Sequence, residues 1–206
     1  VEAAAIRLTQ AADDQPVPFQ FIPDPDYDPT TRIVGTLVAQ LNHGPTVELR
    51  LSLADRTTHP PDSTAIFSGT VSTPFCTIDH KPAAQGGLPS RIGFPKTGKV
   101  FENFRWQDRV HHPEQGGYQF RDDSEATVER VSEGPLCTVV RVRARCMRGN
   151  EQPESQPAAV YDWYYFQDRP LVYVTALQTQ QQPFEWREWH FLELNFPGDD
   201  FAGYFG

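Results

Sequence analysis

Apolar residues fall at every second position along much of this chain. No stretch longer than two turns carries the three-to-four-residue spacing of an amphipathic helix. Val47, Leu49, Leu51 and Leu53 alternate with Glu48, Arg50 and Ser52; Leu136, Thr138, Val140, Val142 and Ala144 alternate with a side carrying Arg141, Arg143 and Arg145. Strand side chains project alternately to two faces, so this spacing predicts strands with one face toward a core. Strands are expected at Val1–Thr9, Pro16–Phe21, Ile33–Leu41, Thr46–Leu53, Ala65–Val71, Phe75–Ile78, Tyr118–Phe120, Ala126–Val131 and Leu136–Met147. Asn42-His43-Gly44-Pro45 reads as a hairpin connection joining Ile33–Leu41 to Thr46–Leu53. Pro23–Thr31, Ala54–Ser63, Lys81–Ser90 and Gly149–Pro157 read as loops, and Ile92–Val100 as a turn-rich passage.

The stretch Ala158–Phe196 is the richest in aromatic residues, with 11 of the 25 and three of the four tryptophans. It reads as three strands, Val160–Phe166, Leu171–Gln178 and Phe184–Phe196, parted by Asp168-Arg169-Pro170 and Gln180–Pro183. Continuous alternation in the third would place Phe184, Trp186, Glu188, His190, Leu192, Leu194 and Phe196 on one face. Glu185, Arg187, Trp189, Phe191, Glu193 and Asn195 would share the other. Neither face is purely apolar, so this strand combines packing with exposed chemistry.

About a dozen short strands in 206 residues imply an all-β fold with little helix: a large antiparallel β-sandwich, or super-sandwich, occupying 1–206 as one domain. Nineteen prolines and a single methionine suit a loop-rich β protein and not a helical bundle. The chain opens at Val1 without an initiator and ends at Gly206 without a closing element, which reads as a piece of a longer chain. Cys76, Cys137 and Cys146 are odd in number and read as buried free thiols. A net charge of −9 argues against a general nucleic-acid binder, which needs a basic face, and no run approaches the length of a membrane span.

Two passages resemble a known family. Val17-Pro18-Phe19-Gln20-Phe21 followed by Gly35–Leu53 resembles the opening of certain bacterial carbohydrate-active modules. Val128–Leu136, with Ser132-Glu133-Gly134-Pro135-Leu136 before a long Val/Arg strand, is followed by Val160–Phe166 and Arg169-Pro170-Leu171-Val172-Tyr173-Val174. That order is similar to the galactose-mutarotase-like super-sandwich of polysaccharide lyases, glycoside hydrolases and aldose epimerases. The resemblance implies a fold and a carbohydrate-handling role. Mutarotases of that kind pair a histidine acid with a glutamate base, and no motif here marks that pair.

The residues offer their own candidates. Trp186 and Trp189, with Glu185, Arg187 and Glu193 alongside, are candidate sugar-binding residues: indoles stack on sugar C–H faces, and charged groups take hydroxyls. Trp106 joins them from the dense segment Phe104–His112. The competing reading is a core strand with charges paired across the sheet. Candidate acid–base residues are His111, His112, Tyr118, Arg105, His190 and Glu188, with an arginine neutralising a uronate and a histidine or tyrosine moving the proton. Arg141, Arg143 and Arg145 read as an outer stripe paired with Glu129, Asp162 or Glu125. Asp24-x-Asp26-x-Asp28 lacks the glycine and glutamate of a calcium loop, Asp199-Asp200 is a weaker acidic pair, and no zinc spacing, nucleotide loop or serine elbow occurs, so no metal and no cofactor is expected.

Three readings of function stay open. One is a secreted or periplasmic, non-catalytic or accessory module that meets an oligo- or polysaccharide, acidic ones included, alongside further domains of the same chain. Another is a lyase or epimerase using Arg with His/Tyr, or His with Glu. The third is a structural module without a ligand, for which both Trp186 and Trp189 would be buried.

Overall fold

The computed structural model of the protein describes residues 6–28, 34–41, 47–53, 67–198, 200, 201 and 203. The expected connection at 42–45, the loop 54–63 and Asp199 lie outside the described residues, as do 1–5 of the first expected strand. Among the described residues, seventeen strands run in chain order. They are β1 (Ile6–Gln10), β2 (Phe19–Pro23), β3 (Gly35–Ala39), β4 (Leu49–Leu53), β5 (Thr70–Ser72), β6 (Thr77–His80), β7 (Pro89–Phe94), β8 (Lys99–Phe101) and β9 (Arg105–Trp106). They continue as β10 (Arg109–His112), β11 (Gly116–Gln119), β12 (Thr127–Glu133), β13 (Cys137–Arg145), β14 (Pro157–Phe166), β15 (Val172–Gln180), β16 (Glu188–His190) and β17 (Leu194–Asn195). The only helical pieces among the described residues are two short 3-10 turns, Gln85–Gly87 and Phe120–Asp122. The fold is an all-β sandwich of antiparallel sheets. No helix among the described residues is long and apolar enough to cross a membrane.

The chain forms two compact units. The first comprises Val1–Ile66 with Val131–Val139, and the second Phe67–Arg130 with Val140–Gly206.

In the first unit, β1 pairs with β4 and β2 with β3. The hairpin expected from alternation would instead have joined β3 to β4. Period-2 patterning marks strands and their faces but is blind to partners, which accounts for the difference. Gln20, in the middle of β2, is buried and serves the turn after β12. Its Oε1 accepts from the amides of Leu136 and Cys137, each at 2.7 Å, and its Nε2 donates to the Cys137 carbonyl at 2.8 Å. A Cβ at Gly134 would sit 2.6 Å from the Gln20 side chain, so the glycine makes room for this clamp. Gln20 thereby ties β2 to the turn that leads into β13.

In the second unit, β5-β6-β7-β8 form one sheet and β11-β10-β16 another, while β17 pairs with β9. A four-stranded sheet has the order β12-β13-β14-β15. Val140, Val142 and Ala144 turn one face of β13 into the core and Cys146 follows just beyond the strand; they join Tyr161, Trp163 and Tyr165 of β14 and Phe104, Trp106 and Phe120. The inward set of β13 follows the alternation. The outer face is less solvated than its arginines suggest. Arg141 is 3% exposed and forms a two-pronged pair with Asp162, at 2.7 Å through each prong. Arg143 pairs with Glu129, and Arg145 with Asp123 and Glu125. Cys76, Cys137 and Cys146 are free thiols, the last two buried.

Two expected boundaries change. Pro89–Phe94 is a strand, paired with β6 and β8, where a turn-rich passage was expected from Ile92. The long strand Phe184–Phe196 is not continuous. It breaks into β16 and β17 around Leu192, whose φ of 50° is left-handed. The break is held by Asp108, a buried carboxylate that accepts from the Glu193 amide at 3.1 Å and from the Leu192 amide.

Candidate functional site

The registers of β11, β10 and β16 decide what gathers. Arg109 lies opposite both Gln119 and His190, and His111 opposite both Gly117 and Glu188. Cross-strand partners share a face, so Arg109, His111, Gln119, Glu188 and His190 stand together, with Gly117 as a bare position among them. The opposite face carries Val110, Tyr118 and Trp189.

The turn at Leu192 brings in a residue that continuous alternation would have put on the far side. Glu193 Oε2 lies 2.5 Å from His190 Nδ1. Glu188 Oε2 lies 3.2 Å from His190 Nε2, and Arg109 Nη2 is 3.2 Å from Glu188 Oε2 and 3.4 Å from His190 Nε2. Asn195 donates to the other Glu193 oxygen at 3.3 Å. Arg105 stands opposite Asn195 in the β9–β17 pair and extends the band. The cluster is open to solvent: the side chains of Arg109, His190, Glu193 and Glu188 are 30%, 33%, 42% and 43% exposed. Two neighbours have unspent capacity. His111 Nδ1 and Gln119 Oε1 are buried and meet no hydrogen-bond partner among the described residues.

The hydrogen bonds allow two protonation patterns. With His190 neutral and its proton on Nδ1, that N–H donates to Glu193 and Nε2 accepts from Arg109. With His190 charged, Nε2–H donates to Glu188. The Arg109 guanidinium holds the Glu188 carboxyl below the ordinary carboxylate range, and His190 does the same for Glu193. Both carboxylates therefore stay ionised at neutral pH.

The remaining candidates take other places. Trp106 is 5% exposed, and its indole N–H donates to the Pro89 carbonyl at 2.8 Å. It is a core residue, too enclosed to stack on a sugar beside β16. Tyr118 is 4% exposed, donates to Glu151 at 3.2 Å and accepts from Arg148 at 3.1 Å. Burial pushes its phenol up, the wrong direction for a base at neutral pH. His112 is half-buried, its ring 5.3 Å from that of Phe184 and away from the His190 cluster. Trp186 is half-buried, with its N–H donated to Gln180. Trp189 is 38% exposed at the edge of the sheet, and Glu185 and Arg187 are exposed.

Sequence reasoning brought His111, Glu188, His190 and Glu193 into view but passed over Arg109 and Asn195 as site residues. Arg109 carried a signal, since it lies two positions from His111 and must share its face on any strand. Among the described residues, no group of three or more His, Cys, Asp or Glu is placed to hold a metal ion. No family model matches this sequence, and neither a curated protein nor a solved structure matches it.

Proposed function

We propose that this chain is a carbohydrate-handling β-sandwich module, acting as a non-catalytic or accessory part of a secreted or periplasmic polysaccharide-degrading protein. The observation that carries this reading is the solvent-open band Arg109–Glu188–His190–Glu193–Asn195. It presents carboxylate acceptors, a guanidinium donor, an imidazole and an amide within hydrogen-bond reach of one another on one face of an edge strand, while Trp189 is 38% exposed on the other face of that strand. Vicinal sugar hydroxyls use that mixture of donors and acceptors.

A second reading rests on His190 between two carboxylates. In a uronate, with Arg109 turned from Nε2 to the substrate carboxylate, neutral Nε2 would take the C5 proton, a C4=C5 double bond would form, and the C4–O bond would break, the departing sugar oxygen taking a proton from water. Arg109 would face the substrate carboxylate. Tyr118 has no part in this step.

Tryptophan fluorescence of the protein, titrated with neutral and acidic oligosaccharides and followed at 235 nm for an unsaturated product, tests both. Quenching without an absorbance gain, weakened about tenfold by His190→Ala, supports the binding module. An absorbance gain lost in the same variant supports the lyase. Silence in both channels across the panel removes the carbohydrate reading.

A further inference from the structure

A second concavity in the same unit has different chemistry. It encloses 570 Å³ and shares no residue with the His190 band. Its buried lining includes Ile78, Trp106, Trp163 and Tyr165. Phe94, Leu171 and Val172 also line it and are 39%, 47% and 41% exposed, so apolar surface continues to the outside. A volume within the range of roughly 300–1,000 Å³, an apolar lining and a few polar groups are the attributes of a small-molecule pocket.

Charge narrows the occupant. The chain carries a net charge of −9, yet the charged residues among the described lining are Lys96 and Arg169, with no carboxylate. Arg169 is paired with its neighbour Asp168. Lys96 has no carboxylate partner among the described residues; its Nζ rests 5.0 Å over the ring of Phe75, another lining residue. An ammonium beside an apolar pocket, with no counter-charge of its own, complements a ligand with an apolar body and one anionic end.

We propose that this cavity binds an amphipathic anion, an alkyl or aryl chain ending in a single carboxylate. The chain lies against Trp163 and Tyr165, and the carboxylate faces Lys96. Burying each further methylene raises affinity about fourfold until the cavity is filled. Cys76 lines the cavity and is partly exposed, so its thiol reports occupancy.

The test uses the whole protein and dodecanoate, decanoate and octanoate below their micelle concentrations. Binding is read by calorimetry and by displacement of anilinonaphthalene sulfonate. The expected results are saturable binding with about a fourfold step per methylene, and dodecanoate slowing iodoacetamide labelling of Cys76. Lys96→Glu, at an exposed position, weakens dodecanoate about fivefold, the effect of an exposed ion pair. It leaves dodecanol unchanged. Val172→Trp, also exposed, narrows the mouth and reduces both. Absence of saturable dodecanoate binding would overturn the proposal, as would binding indifferent to Lys96→Glu or binding that leaves Cys76 labelling unaltered. None of these readouts depends on a sugar, so the cavity and the His190 band fail or stand separately.

Discussion

Tyr161 donates its phenolic hydrogen to Asp108 at 2.8 Å, and both side chains are almost completely buried. The other oxygen of Asp108 takes the amide of Glu193. Burial raises the Asp108 carboxyl above its usual range, while these donors pull it back down. One buried carboxylate thus fixes the turn that swings Glu193 onto His190.

Tyr161→Phe should cost about 1–3 kcal/mol, the usual range for stranding one buried partner. Asp108→Asn should cost at least as much, because its NH2 would confront groups that are themselves donors. Urea unfolding measures both. If Asp108 also positions Glu193, Asp108→Asn lowers oligosaccharide affinity in parallel with Glu193→Gln. Unchanged affinity in a folded Asp108→Asn protein would remove the positioning role.

The same interaction explains what could be read from the sequence and what could not. Alternation located β13 and β14, the inward set Val140, Val142 and Ala144, and the pairing of Arg141, Arg143 and Arg145 with Asp162, Glu129 and Glu125. Apart from Glu125, which precedes β12, those are contacts between neighbouring strands, where period and face carry the information. Alternation failed at Leu192, because a left-handed leucine carries no local signature and is sustained by Asp108, more than eighty positions earlier. It failed again for β3 and β4, whose partners β2 and β1 are set by tertiary context.

Gln20 and Gly134 form a second remote pair with a measurable coupling. Gln20→Ala leaves the Leu136 and Cys137 amides without their acceptor, about 1–3 kcal/mol for each buried group. Gly134→Ala alone drives a methyl into the Gln20 side chain and should also destabilise. Once Gln20 is truncated, the methyl has room. The double variant is therefore expected to be more stable than the sum of the singles by about 1 kcal/mol or more, within the range found for residues in contact. Simple additivity in chemical unfolding would refute the clamp.

Arg141 and Asp162 make a different energetic point. Their side chains are 3% and 11% exposed, and the two-pronged geometry satisfies both charges. Removing one partner strands the other, so Asp162→Ala should cost about 3–5 kcal/mol. Replacing both, as Arg141→Met with Asp162→Leu, restores most of that loss, because two desolvated charges give way to apolar packing. A double variant no more stable than Asp162→Ala alone would show that the pair's worth lies in contacts beyond its own charges.

His80 supplies the pH dependence. Its ring is wholly buried; Nδ1 donates to the Gly87 carbonyl at 2.8 Å, and Nε2 accepts from the Tyr165 hydroxyl at 2.5 Å. Both bonds are met by the neutral ring, and burial lowers its pKa from 6.5 to about 4. The unfolded chain binds this proton more readily than the folded one between those values, so the contribution to stability is full above pH 6.5 and is lost as pH falls toward 4. The slope is about 1.4 kcal/mol per pH unit, for a total of about 3 kcal/mol. His80→Asn keeps a donor toward Gly87 but does not titrate. It should be less stable at pH 7, where the Tyr165 hydroxyl loses its acceptor, and should narrow that gap steadily as the pH approaches 4. Urea midpoints of the two proteins at half-unit intervals decide it, since every other ionisable group is common to both. Parallel stability curves across the window would mean that His80 is protonated as easily inside the fold as outside it.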